Sequence, residues 1–251
     1  MGMMTNQSKT YLNPQRISNF LGKGSMTQDY KCKFCNTKFH KESTLFTHMC
    51  VKKRRHMEIN SAASRLGFRA FQRFYEITMH VKEPKSIDDF INSPYYIDFA
   101  KFGNHLATLK PLYTEQYVDY VIKNGVKLKD WTKDYVYDVY ITDLIKKEPA
   151  VSATERTITE IMGWCENNRV EFKKFFSTIS ANESSYLIRT GRISPWVLYL
   201  STTGGDLMSR FSEDHSKIIG DIIDPKFWSK KFKKDEDDVR YIKEILEQAG
   251  L

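Results

Sequence analysis

The chain has 251 residues, 41% hydrophobic and 14% aromatic, and 39 Lys and Arg against 31 Asp and Glu give it a formal net charge of +8. That apolar content excludes a wholly disordered chain and is enough for one large domain, or for a small module ahead of a larger one. No apolar run approaches the ~18 residues that cross a bilayer, and the amino-terminal segment has no signal-type hydrophobic stretch, so no membrane partner is expected.

In chain order, residues 1–27 are polar, with Gly, Asn, Ser and Gln, and read as a flexible arm with a short helical turn from Pro14 to Leu21. Residues 28–56 hold three of the four cysteines and read as a small module with a basic tail. Residues 57–251 read as a helical domain. Leu66, Ala70, Phe74 and Ile77 recur at helical spacing, which predicts a long helix from Ser61 to Thr78. Beyond Pro84, Ser86 with Asp89 three residues on predicts a capped start. Further helices are predicted over 86–92, 95–104, 114–123, 132–145, 152–167 and 171–178, with breaks at Asn124-Gly125 and Glu148-Pro149.

The last third continues in this style. A short helix is predicted from Ser184 to Thr190, stopping at Gly191. Ser194 caps a helix with Pro195 in its first turn, running to Leu200. Thr203, Gly204 and Gly205 read as a loop before a segment over Leu207–Phe211. Asp214–Ile223 reads as helix, Asp224 and Pro225 open a short one holding Phe227 and Trp228, and Asp235–Gln248 follows with acidic residues at its dipole-positive start. No 20-to-50-residue repeat and no strand–helix alternation is present.

The module carries the clearest chemistry. Clustered cysteines in a reducing compartment read as a metal site before they read as disulfides. Cys32 and Cys35 are two residues apart, the spacing of a tight knuckle that aims both sulfurs at one ion. Twelve residues later His48 sits where a helix would face back to the knuckle, with Phe39 and Leu45 as a minimal apolar core. The pattern Tyr30-x-Cys32-x2-Cys35-x3-Phe39-x5-Leu45-x2-His48 resembles the first three quarters of a zinc finger of the two-cysteine, two-histidine type. The resemblance covers about twenty residues and implies a structural zinc ion.

The fourth ligand departs from that family, where it follows the histidine by three to five residues. Here Cys50 follows after one residue and His56 after seven. Cys50 is preferred, provided that the helix ends at His48 and lets the chain turn back; His56 remains the alternative. A helix that stops there is short for lying in a major groove. His40 reads as a surface residue. The expected fold class is therefore mostly α, a multi-helical domain preceded by a small zinc-finger-like module.

The charge is concentrated at the front. Residues 1–60 hold 11 Lys and Arg against 3 Asp and Glu, while the remaining 191 hold 28 of each. Lys52, Lys53, Arg54 and Arg55 follow the module directly, and Arg65, Arg69 and Arg73 are spaced to form one stripe on the long helix. With Lys31, Lys33, Lys38 and Lys41, these cations suit a phosphate backbone and carry no base code. Tyr30, Phe34, Phe68 and Tyr75 lie near them as aromatic faces for unpaired bases, although Phe68 and Tyr75 are also expected in the core. A nucleic-acid partner is thus expected, DNA before RNA, together with a protein partner.

Nothing reads as catalytic. There is no phosphate-binding loop, no dinucleotide fingerprint and no HExxH. Asp98 with Lys101 weakly echoes a nuclease pair but lacks the strand context, and His80, His105 and His215 have no partner at ligand spacing. Cys165 reads as a buried thiol, and the apolar patch of Ile188, Ile193, Trp196 and Tyr199 as core. The body from about Ile87 loosely resembles accessory proteins of large tailed bacteriophages, which implies the cytoplasm of a bacterial host cell or a virion. The expected function is a zinc-containing, non-enzymatic accessory protein that grips phosphates and docks a replication or transcription protein. The alternatives are a structural or adaptor protein of a phage particle or polymerase complex, and then a metal-dependent nuclease.

Overall fold

A computed structural model describes residues 29–251; the expected amino-terminal arm and the turn at Pro14–Leu21 lie outside the described residues. The chain divides into two units after Met57. Among the described residues there are fifteen α-helices and one two-stranded sheet, so the fold is mostly α.

The first unit holds the sheet, with β1 (Tyr30–Lys31) antiparallel to β2 (Lys38–Phe39) and Tyr30 opposite Phe39. Two short helices follow, α1 (Glu42–Thr47) and α2 (Val51–Glu58). Neither contains a buried residue. Helices this short are marginal in water, so something other than an apolar core must hold them.

The second unit is built around α3 (Ala62–Met79), which is capped by Ser61 and packs along α5 (Tyr96–Leu109). Between them lies α4 (Ile87–Asn92), opened by the expected capping box of Ser86 and Asp89. Two glycines let α3 and α5 touch backbone to backbone. A Cβ on Gly103 would lie 2.2 Å from the Ala63 carbonyl oxygen, and one on Gly67 2.5 Å from that of Phe99. The close crossing brings Phe71, Phe90, Phe99, Phe102 and Trp131 into one aromatic cluster, with Phe71 and Trp131 both edge-on to Phe99.

The remaining helices are α6 (Thr114–Lys123), α7 (Asp134–Lys147), α8 (Ala150–Asn168), α9 (Phe175–Thr178), α10 (Ala181–Arg189), α11 (Pro195–Leu200), α12 (Gly204–Ser209), α13 (Glu213–Ile219), α14 (Pro225–Lys234) and α15 (Glu236–Ala249). Short 3-10 turns at Leu128–Asp130 and Phe172–Lys174 join some of them. Ser194 caps α11 with Pro195 at its start, as expected. Ile188, Ile193 and Trp196 are fully buried, and Cys165 is a buried free thiol whose pKa burial pushes up.

One local expectation fails. Gly204 and Gly205 do not form a loop; they are the first turn of α12. A Cβ at Gly204 would lie 2.0 Å from the Leu198 carbonyl oxygen, so that glycine is needed for close approach rather than for a turn. Several of the body's arginines are bound within it. Arg156 pairs with Glu148, Arg189 reaches Asp138 and Asp134, and Arg210 donates to the carbonyls of Ile179 and Phe176.

The same substitution should act with opposite signs at two helical glycines. Gly103→Ala should destabilise the protein by more than about 3 kcal/mol, because a backbone carbonyl cannot yield as a side chain can. At Gly163 in α8 nothing lies within 4 Å of an added Cβ, so Gly163→Ala should stabilise by about 0.5–1 kcal/mol through helix propensity. Chemical denaturation of both variants checks the pair.

Candidate metal centre and basic segment

The knuckle forms where β1 ends. The Cys32 amide donates to the Thr37 carbonyl and the Asn36 amide to the Cys32 carbonyl, both at 2.9 Å. Asn36 takes the left-handed conformation, φ 63°, that reverses the chain; asparagine tolerates this better than most residues. Cys32 is thereby buried and Cys35 half-buried beside it. The Thr37 hydroxyl lies 3.1 Å from Cys35 Sγ, and its hydrogen bonding, with that of His48, brings the Cys35 thiol down to about 6. A thiol that ionises readily is suited to a metal.

His48 approaches from the other side. It is the C-cap of α1, with its backbone extended (φ −64°, ψ 123°) and its amide donating to the Leu45 carbonyl. The Phe39 ring packs on the imidazole at 4.7 Å between centroids. His48 Nε2 then lies 3.3 Å from Cys35 Sγ.

The turn at His48 is what brings in the fourth ligand. After one further residue Cys50 stands at the start of α2. The ligand atoms of Cys32, Cys35, His48 and Cys50 all lie within 4.8 Å of one another. A tetrahedral ion with sulfur at about 2.3 Å and nitrogen at about 2.0 Å gives edges of about 3.5 to 3.8 Å, so the four fit a single metal ion. This is the zinc-finger-like arrangement that the spacing predicts, with a cysteine as the early fourth donor. Four protein donors leave no open coordination position.

Cys50 also caps α2. Its carbonyl accepts from the Arg54 amide at 3.0 Å and its Sγ from the Lys53 amide at 3.4 Å. Burial pushes the free Cys50 thiol up, while the Lys53 amide opposes that shift. The Lys53 ammonium folds back onto the His48 carbonyl at 3.1 Å. His56 lies outside the four-residue group; its ring packs at a tilt against Phe34 at 5.3 Å between centroids, and Lys33 sits over the same Phe34. His40 is exposed and pairs with Asp29, as does Lys38.

The cations proposed from the sequence separate into groups. Lys52 and Arg54 are exposed on α2, and Arg55 is half-buried there. Arg65 and Arg69 are exposed on α3, where Arg65 also holds the Asn60 carbonyl at 2.7 Å. Arg73 differs. Its guanidinium is bidentate to the Asp119 carboxylate of α6 at 2.6 and 2.7 Å and meets Glu76 at 2.9 Å. Arg73 thus stands apart from Arg65 and Arg69, because a guanidinium forked onto a carboxylate has fewer donors left for a phosphate. Phe68 and Tyr75 are half-buried and packed against the core.

Two residues at these sites give no signal in the sequence. Asp119, forty-six positions from Arg73, carries no local signal. Phe46, next to the half-buried Leu45, is 84% exposed; a six-residue helix is too short for its phase to be read from sequence.

No helix among the described residues is long and apolar enough to cross a membrane. Comparison of the chain with family models, with curated proteins and with solved structures finds no match. The likeness of the body to bacteriophage accessory proteins gains no support from these comparisons.

Two predictions follow from this geometry. Cobalt(II) titrated into the metal-free protein should give the intense visible bands of a tetrahedral thiolate site; Cys50→Ala should weaken metal binding at least tenfold, while His56→Ala should leave the spectrum and affinity unchanged. The second concerns Asp119, whose carboxyl the Arg73 guanidinium chiefly holds down at about 2, with burial opposing and Lys123 assisting. A carboxyl depressed on folding stabilises above its unfolded value near 3.9 and loses that contribution as the pH falls through its folded value. Solvent reaches Arg73, so Asp119→Asn should cost about 1 kcal/mol near pH 7. Stability curves of wild type and variant should converge between about pH 4 and pH 2.

Proposed function

We propose that the chain is a zinc-containing, non-catalytic protein that binds nucleic acid through the backbone phosphates. Three thiolates and one imidazole in a closed tetrahedral set favour zinc among the common intracellular divalent ions, and a closed set serves structure rather than chemistry. The observation that carries the reading is Cys50. It is one of the four clustered donors and also the cap of α2, so the ion would anchor the helix that displays Lys52 and Arg54. Residues 29–57 hold eight Lys and Arg against two acidic residues, a density that attracts a polyanion.

The helical unit plays the other part. Its arginines at 73, 156, 189 and 210 are engaged internally, and Tyr135 and Val139 stand exposed four residues apart on α7. That apolar pair supports a protein contact, with a component of replication or transcription as the partner.

The test is salt dependence. Affinity for a DNA duplex, measured by fluorescence anisotropy across a salt series, should fall linearly on logarithmic axes. Replacing Lys52 and Arg54 together by Ala should weaken binding and reduce the slope by about two. Arg73→Ala should leave the slope unchanged. Binding that ignores salt, or that survives the double replacement, would refute the reading.

A further inference from the structure

The first unit exposes apolar groups where a solvated basic surface would not. Phe46 is 84% exposed, Met49 48% and Val51 59%. Two of them flank the donors: Met49 lies between His48 and Cys50, which supply ligand atoms to the ion site, and Val51 follows Cys50 as the first residue of α2. Phe46 stands on the last turn of α1, one residue past the half-buried Leu45. These three lie within six residues of one another, between Lys41 and the exposed Lys52 and Arg54.

We propose that this surface is a stacking platform for unpaired bases, so that the nucleic acid recognised is single-stranded. The inference rests on the phosphate-binding reading above and names its substrate. Charge complementarity selects the occupant: among residues 29–57 the basic excess calls for a polyanion, and the apolar groups call for one that also presents flat apolar faces. A single strand offers both. In a duplex the base faces are covered by their neighbours, and only edges and phosphates reach the protein. Helix α1 has six residues, about 9 Å of rise, which is short for reading base edges from within a groove. Phe46 is thus placed for stacking rather than for duplex readout. The Phe34–His56 ring pair, with Lys33 over Phe34, gives the same unit a second aromatic group beside a cation.

The experiment uses the full chain loaded with zinc and three labelled probes of about 20 nucleotides: a mixed-sequence single strand, its duplex, and an abasic strand with the same phosphates. Wild type should bind the single strand roughly tenfold more tightly than the abasic strand. Phe46→Ala should remove that difference and leave duplex and abasic binding within about twofold, and Phe46→Trp should restore it. Because Phe46 is outside the core, the cobalt spectrum of Phe46→Ala should match wild type and so exclude misfolding.

Equal wild-type affinity for the single and abasic strands, or single-strand binding unchanged in Phe46→Ala, would overturn the proposal and leave phosphate binding standing. Failure of all three probes to bind would overturn both readings and assign the exposed apolar residues to a protein contact.

Discussion

Cys50 is shared between the ion site and a helix. Its sulfur completes the four-donor set and accepts the Lys53 amide, and its carbonyl starts the hydrogen-bond ladder of α2. Most of what is distinctive in the first unit depends on that sharing. Helix α2 has eight residues, none buried, with four consecutive cations that repel one another. Alone it would not hold together. The Cys50 sulfur accepts an orphan amide at the helix start, and a metal-bound thiolate there would place negative charge where the helix dipole favours it and would fix the direction in which α2 leaves the module.

The helical unit obeys a different constraint. Its order comes from apolar burial, and the tightest point is the crossing of Gly67 and Gly103, where two backbones meet. That crossing sets the spacing into which Phe71, Phe99 and Trp131 fit edge to face. The cations of the unit follow from the same packing. A half-buried arginine keeps its charge only with partners, so Arg73 takes Asp119 and Arg156 takes the buried Glu148. The helical unit thus pairs its half-buried arginines internally, while Lys52 and Arg54 of the first unit face solvent.

The sequence reveals what is local and hides what is distant. Helices α4, α6 and α11 lie close to their predicted bounds because capping residues, prolines and turn glycines act within a few positions. The donors at Cys32, Cys35 and His48 are legible for the same reason, and choosing Cys50 over His56 turned on where one helix ends. The pairing of Arg73 with Asp119 is not legible, because tertiary packing brings the partner and periodicity does not encode it. Gly204 was misjudged because glycine marks both turns and close approaches, and only the position of the Leu198 carbonyl tells them apart. The exposed state of Phe46 likewise depends on which neighbours fail to cover it.

On the proposed reading, metal and nucleic acid are coupled by thermodynamic necessity. A module of fewer than thirty residues lacks the core to fold alone, so the free energy of metal binding is also its folding free energy. If phosphates bind α2 only when it is ordered, and the ion orders it through Cys50, then each ligand raises the affinity of the other by the same factor. The coupling needs no long pathway, because the sulfur that holds the ion also accepts the backbone amide of Lys53, whose neighbours Lys52 and Arg54 face solvent. With Cys50 as the early fourth donor, the first helix has only six residues, short for a groove, and the second, basic helix would be tied directly to the ion.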